Sequence, residues 1–309
     1  MPVHPQAQMV LDQLKNSGMP SLHTLSPEAA RAAYAMMRTR PENLEPVAKV
    51  EDRQIPGPAG SIPARFYYPE GSGPFPVLVY FHGGGWVIGS PDTHDAPCRK
   101  IANAAGCIVV SVDYRLAPEH KFPAAVEDAY AATCWVAEHA QEFNGDPERI
   151  AVGGDSAGGN LAAVVALMAR DQGGLELRFQ ALIYPATDFA MNTRSHQENG
   201  SGYFLTREMM YWFRDHYLRT EEDKTNPLAS PALAGDFRNL PPALVITAEY
   251  DPLRDEGEAY AELLRQAGVP VTCSCYDGMI HGFFSMIGVI DASEEAIREL
   301  ADALRKAWR

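Results

Sequence analysis

The sequence predicts an α/β protein: a mostly parallel sheet of about eight strands, antiparallel at its start, flanked by helices and carrying a helical cap. Three observations predict it. Short continuous apolar runs such as Val77-Leu78-Val79-Tyr80-Phe81 are what strands buried on both faces require. These runs alternate with helical patterns, the order that builds a parallel sheet. The chain of 309 residues is long enough to bury a large core.

Residues 1–45 precede any strand and read as two helices. Met9, Val10 and Leu14 form an apolar stripe in the first, and Ser26-Pro27-Glu28 opens the second with an N-cap and a proline at the first helical position. Pro41 and Pro46 mark the exit. Residues 46–309 then form the main body. Strands over 47–54 and 62–68 flank Pro56-Gly57-Pro58-Ala59-Gly60 as an antiparallel hairpin. Buried strands are expected over 77–81, 107–112, 149–152, 179–184, 243–247 and 271–276. Helical patterns cover 123–139, 161–170, 255–266 and 293–308. The interval 185–242 is far longer than a crossover needs. It holds Leu205-Thr206-Arg207-Glu208-Met209-Met210-Tyr211-Trp212-Phe213, an apolar and aromatic helix. An insertion at about 186–220 is therefore expected to join the N-terminal helices in one cap over the C-terminal edge of the sheet.

Composition is ordinary, 46% hydrophobic and 21% charged, and 40 acids against 26 bases give a net charge of -14. That balance argues against nucleic-acid and anionic-membrane surfaces. No apolar run approaches the ~20 residues of a membrane helix, and the first residues lack the pattern of a secretory signal. A cytoplasmic location is the default expectation. The five cysteines form no metal spacing and no C-x-x-C pair, and Cys273 and Cys275, on one face of the last strand, are expected to pack.

The chemistry lies in the loops. Gly154-Asp155-Ser156-Ala157-Gly158 matches G-x-S-x-G, a strand-to-helix turn that exposes a serine. A serine needs a base and the base needs an orienting carboxylate, in the chain order serine, acid, histidine. Of the nine histidines, His196, His216 and His281 follow Ser156. The first two lie in the insertion, whereas His281 lies just beyond the last strand. Asp251, at the end of the strand 243–247 and held out of helix by Pro252, is the expected acid, with Glu249 and Asp255 as alternatives. His82-Gly83-Gly84-Gly85-Trp86 follows another strand and offers unobstructed backbone N–H groups. Gly83, Gly84 and Ala157 are the expected oxyanion donors. A phosphate loop is the competing reading, but neither G-x-G-x-x-G opening a helix nor G-x-x-x-x-G-K-[ST] is present here. His82 suits a loop-shaping hydrogen bond, and Asp155 suits holding a neighbouring loop. Phe204, Tyr211, Trp212 and Phe213 either line an acyl pocket or form the core of the cap, and Trp86 either sits at the pocket mouth or packs.

With these residues in order, the chain resembles the hormone-sensitive-lipase-like branch of the α/β-hydrolase carboxylesterases. The resemblance rests on His82-Gly83-Gly84-Gly85-Trp86, Asp113-Tyr114-Arg115-Leu116-Ala117-Pro118-Glu119, Gly154-Asp155-Ser156-Ala157-Gly158-Gly159-Asn160, Asp251-Pro252-Leu253-Arg254-Asp255 and His281-Gly282-Phe283. It implies a triad of Ser156, Asp251 and His281, an oxyanion hole of Gly83, Gly84 and Ala157, and a helical cap. It also implies hydrolysis of short- to medium-chain esters without metal or cofactor. The expected partner is a small-molecule ester, with no nucleic acid and no membrane span, and the chain is expected as a monomer or homodimer. An amidase or arylformamidase would use the same triad. A non-catalytic receptor on this scaffold, as in the plant gibberellin receptors, would lack the histidine.

Overall fold

Pro58 and Ala59 form the tip of a hairpin whose strands, β1 (Lys49–Gly57) and β2 (Gly60–Tyr68), pair antiparallel from Gly57↔Gly60 to Lys49↔Tyr68. The computed structural model describes residues 2–38 and 44–309. Pro41 lies outside the described residues. Before the hairpin come α1 (Pro5–Asn16), a 3₁₀ turn (Leu22–Thr24) and α2 (Pro27–Met37). After it the chain alternates: β3 (Phe75–Phe81), α3 (Asp95–Ala105), β4 (Ile108–Val112), α4 (Ala124–His139), β5 (Gly145–Asp155), α5 (Ala157–Gln172) and β6 (Phe179–Ile183). Between β6 and β7 lie α6 (Arg194–Glu198) and α7 (Arg207–Tyr217), and β7 (Ala243–Tyr250), α8 (Arg254–Gln266), β8 (Val271–Ile280) and α9 (Asp291–Ala307) complete the chain.

The eight strands run β1-β2-β4-β3-β5-β6-β7-β8 across one sheet. β2 meets β4 antiparallel, and from β4 to β8 every pairing is parallel. Parallel strands need helical crossovers, and these cover both faces. In β3, Val77, Val79 and Phe81 join a core with α4 and α5, whereas Leu78 and Tyr80 join a second core with α3 and α9. Two covered faces explain why these strands read as continuous apolar runs.

Helix α3 carries no sequence expectation. Its N-cap, His94, makes no side-chain capping bond and Pro97 lies in its first turn, so the start is weakly marked, whereas Gly106 with φ 63° closes its C-terminus. Its buried face, including Cys98 and Ile101, packs in the core that also holds Ile297 and Leu300 of α9. In α1 the buried side is Ala7 with Val10 and Leu11, and Met9, expected in the stripe, is 54% exposed. Ala7, Val10, Leu11 and Leu14 recur at three- and four-residue spacing, which puts Met9 off that face. Ser26 does cap α2, accepting from the Ala29 amide at 3.2 Å. Cys273 packs against the core as expected, but Cys275 is exposed.

Helix α2 is tied to the body through Arg31. Its Nε donates to Val87 O and its Nη2 to Ala117 O, both at 2.8 Å, and the guanidinium grips the Glu119 carboxylate. Helix α7 is tied at its C-terminal end, where Lys121 Nζ donates to Asp215 O and Leu218 O at 3.0 and 2.8 Å. A cation at that end also suits the helix dipole. No helix among the described residues is long and apolar enough to cross a membrane.

Candidate active site

Because β3 to β8 are parallel, the loops leaving β3, β5, β7 and β8 open on the same edge of the sheet, where α/β folds bind ligands. Ser156 occupies the corner between β5 and α5 with φ 58° and ψ −118°. Non-glycine residues rarely adopt this conformation, and it stores on the order of 1–3 kcal/mol of strain. Flanking glycines make the corner possible: a Cβ at Gly154 or Gly158 would lie 2.4 or 1.8 Å from Phe81 O. The Ser156 amide donates to Ile183 O at 2.8 Å and anchors the turn on β6.

β7 and β8 bring the other two side chains over the serine. Both strands run beyond their expected ends, with a register shift that pairs Tyr250 with Ile280. Asp251 and His281 therefore leave adjacent strands side by side. His281 Nδ1 lies 2.6 Å from Asp251 Oδ2, and its Nε2 lies 3.0 Å from Ser156 Oγ. An ionised carboxylate only accepts, so the proton sits on Nδ1 and Nε2 accepts from the serine hydroxyl. Asp251 is fully buried and its Oδ1 accepts from the Leu253 amide at 2.8 Å. The alternatives are engaged elsewhere. Glu249 Oε2 accepts from the Gly278 amide at 2.7 Å, and Asp255 Oδ2 accepts from the Ser195 amide at 2.7 Å. His196 and His216 do not reach the site: His196 faces Glu256 at 3.1 Å, and His216 Nδ1 donates to Trp212 O at 2.8 Å.

The segment between β6 and β7 braces the acid loop. Asn199 Nδ2 donates to Glu249 O and Asp251 O at 3.1 and 3.3 Å, and Ser195 Oγ donates to Pro252 O at 2.6 Å. Tyr184, a buried residue with φ 34°, lies with its ring centroid 4.6 Å from that of His281.

The glycine loop corrects one expectation. The Gly83 amide, expected as an oxyanion donor, donates to Asp155 Oδ1 at 3.0 Å and is not available to a substrate. Gly84 and Gly85 line the cavity beside Ser156 and Ala157, and among the described residues their amides have no partner. The loop is held tight by the Val87 and Ile88 amides, which donate to Gly84 O at 3.1 and 3.0 Å. Asp155 also accepts from Tyr80 Oη at 2.8 Å and faces His94 Nε2 at 3.3 Å, so it clamps the loop to the end of β5. Burial pushes the Asp155 carboxyl up, but His94 and the Tyr80 hydroxyl outweigh it and hold the group well below the usual carboxylate range. His82 shapes the same loop, its ring 2.8 Å from Gly83 O and stacked on Tyr114 at 4.3 Å. Full burial, with His94 beside it, pushes the His82 imidazole down to about 3, which keeps it neutral.

Over Ser156 lies a cavity of about 80 Å³. Its wall comes from the N-terminal segment (Leu22, Tyr34, Arg38), the glycine loop with Trp86, and the segment between β6 and β7 (Phe204, Met209, Met210, Phe213). Phe204 and Phe213 thus face the cavity, whereas Tyr211 is exposed and the Trp212 ring packs 4.4 Å from that of His216. Trp86 both lines the cavity and packs, stacked on Tyr217 at 4.3 Å. Among the described residues, no group of three His, Cys, Asp or Glu side chains is arranged to hold a metal ion.

Comparison with known proteins bears on the same residues. A family model of the alpha/beta hydrolase fold matches residues 78–285. The carboxylic ester hydrolase LipN of Mycobacterium tuberculosis is 51% identical over 262 residues, covering 83% of this chain and 70% of LipN. The carboxylesterase NlhH of the same organism is 46% identical over 286 residues, 91% of this chain and 89% of NlhH. A hyperthermophilic esterase from the archaeon Pyrobaculum calidifontis superposes with a TM-score of 0.94 at 46% identity, over 99% of both chains.

Proposed function

The chain belongs to the hormone-sensitive-lipase-like carboxylesterases of the α/β-hydrolase fold, and on that premise we propose that it hydrolyses short- to medium-chain carboxylic esters through an acyl-enzyme on Ser156. One observation carries the reading: an unbroken hydrogen-bonded chain from Ser156 Oγ through His281 to the buried Asp251. His281 Nε2 takes the hydroxyl proton as Ser156 Oγ attacks the ester carbonyl. The negative charge that develops on the carbonyl oxygen is met by the amides of Gly84, Gly85 and Ala157. Such preorganised donors cost no reorganisation when the charge appears. His281 returns the proton to the leaving alcohol, then deprotonates the water that releases the acid. Asp251 fixes the tautomer and stabilises the imidazolium.

The mostly apolar wall of the cavity over Ser156 supports small hydrophobic acyl groups. We treat residues 1–45 and 186–220 as a cap on the body of residues 46–309. Support comes from the cavity wall, to which both segments contribute. The five free cysteines support a reducing, cytoplasmic setting.

The test is hydrolysis of nitrophenyl esters of increasing chain length, with the matching anilides alongside, by wild type and Ser156→Ala. The reading expects turnover of the short esters, weak turnover of anilides and none above background in the variant. Undiminished turnover by Ser156→Ala refutes the serine mechanism. Anilide turnover matching the esters makes the protein an amidase, and no turnover by wild type on any of these substrates overturns the esterase reading in favour of a receptor or a narrow amide substrate.

A further inference from the structure

The cavity over Ser156 has a mostly apolar wall, so every charge on it needs a partner or a purpose. Asp155 is engaged by Tyr80, Gly83 and His94, and His281 by Asp251 and Ser156. Glu256 Oε1 accepts from the Thr187 and Asp188 amides at 2.6 and 3.3 Å, and its Oε2 faces His196. Asp188 Oδ1 accepts from the Ala190 amide at 2.8 Å.

Arg38 is different. It stands at the C-terminal end of α2, and its Nε donates to Tyr34 Oη at 3.1 Å, with the guanidinium 5.2 Å from the centre of the Tyr34 ring. Among the described residues no carboxylate reaches it within ion-pair distance, and its two Nη groups have no partner. Arg31 and Arg115, by contrast, grip Glu119 and Asp128. Burial disfavours the cationic form of Arg38, but Tyr34, Tyr184 and the charge on Asp155 outweigh it, and the oxygens of Asp155 are already taken. Tyr34 therefore orients a half-buried guanidinium whose outer edge, among the described residues, stays unspent.

We propose that Arg38 sets substrate choice: the cavity takes esters bearing a carboxylate a few bonds from the reacting carbonyl, bound by the two Nη groups. The proposal rests on the esterase reading above. A guanidinium presents paired donors that match a carboxylate in a bidentate geometry. An apolar wall strengthens such a pair, and a neutral ester in its place leaves the cation with no acceptor. Arg38 and Phe204 also line a neighbouring cleft, so the anion can belong to the acyl or to the alcohol side of the ester.

Two matched pairs of substrates test it. Phenyl hydrogen adipate against phenyl hexanoate places the charge on the acyl side. 4-Acetoxybenzoate against 4-acetoxybenzamide places it on the alcohol side. For each pair kcat/KM is measured with wild type, Arg38→Lys and Arg38→Met. The proposal expects Arg38→Met to lower the charged-to-neutral ratio of at least one pair by about tenfold or more, with Arg38→Lys retaining part of it. The affected pair identifies the side on which the anion sits. Unchanged ratios in both pairs overturn the proposal, as does an equal loss for charged and neutral esters in a folded Arg38→Met. Failure of wild type on all four esters instead overturns the esterase reading on which the proposal depends.

Discussion

Replacing Asp155 with asparagine separates a loop clamp from a catalytic acid. The amide keeps the shape of the carboxylate, and its oxygen still accepts from Tyr80 Oη and the Gly83 amide. Those bonds lose their charge assistance, about 1 kcal/mol each, and the contact with His94 weakens as well. The expected loss is ~2–3 kcal/mol, or about 3–5 °C in Tm for a chain of this length. Gly83 shifts with its acceptor and carries Gly84 and Gly85 with it. A misplacement near 1 Å costs up to ~10²-fold in rate, so kcat should fall about 10- to 100-fold with KM little changed. The carboxyl titrates below its unfolded value, so its stabilisation is present above about pH 4 and is lost as pH falls through the folded value. The Tm gap between wild type and Asp155→Asn should accordingly hold from pH 7 to 5 and close below about pH 4. Thermal unfolding by circular dichroism, with ester turnover on the same samples, reads both quantities. Wild-type Tm together with wild-type kcat refutes the clamp, and a ~10⁴-fold loss of kcat at unchanged Tm makes Asp155 a member of the triad.

Other outcomes follow from the same geometry. Asp251→Asn turns an N–H group toward His281 Nδ1 and forces the proton onto Nε2, so kcat should fall ~10⁴-fold with Tm within a few degrees of wild type. Steady-state kinetics and a melt on one preparation check this. His82, buried and neutral, binds its proton at about 3 in the folded chain against ~6.5 unfolded, so stability is lost as pH falls through that window. Its share is ~2–3 kcal/mol by pH 4.5, and His82→Gln should flatten that part of the urea-denaturation profile between pH 7 and 4.5.

The strands were legible because both faces of the sheet are covered and the apolar runs are therefore unbroken. Their ends were not. β8 continues through Asp277 and Gly278, poor strand formers, only because β7 supplies a partner as far as Tyr250↔Ile280. Helix α3 escaped because its N-terminus carries no capping side chain and has Pro97 in its first turn, although Gly106 closes its C-terminus and its buried face packs in the core that also holds residues of α9. Ser156, Asp251 and His281 could be read because each ends a recognisable strand in a fixed order. Three consecutive glycines look alike in sequence, and what distinguishes Gly83 is a carboxylate from a strand far along the chain. Arg38 gave no signal at all. Its meaning lies in the partner it lacks among the described residues, which only a three-dimensional accounting of charges exposes.

The central claim is that Ser156 forms the covalent intermediate. Trapping with a fluorophosphonate followed by peptide mass mapping tests it most directly. The account predicts one adduct per chain, on Ser156, accumulating in step with loss of ester turnover and absent from Ser156→Ala. An adduct on another residue that accompanies inactivation, or full inactivation without modification of Ser156, contradicts it.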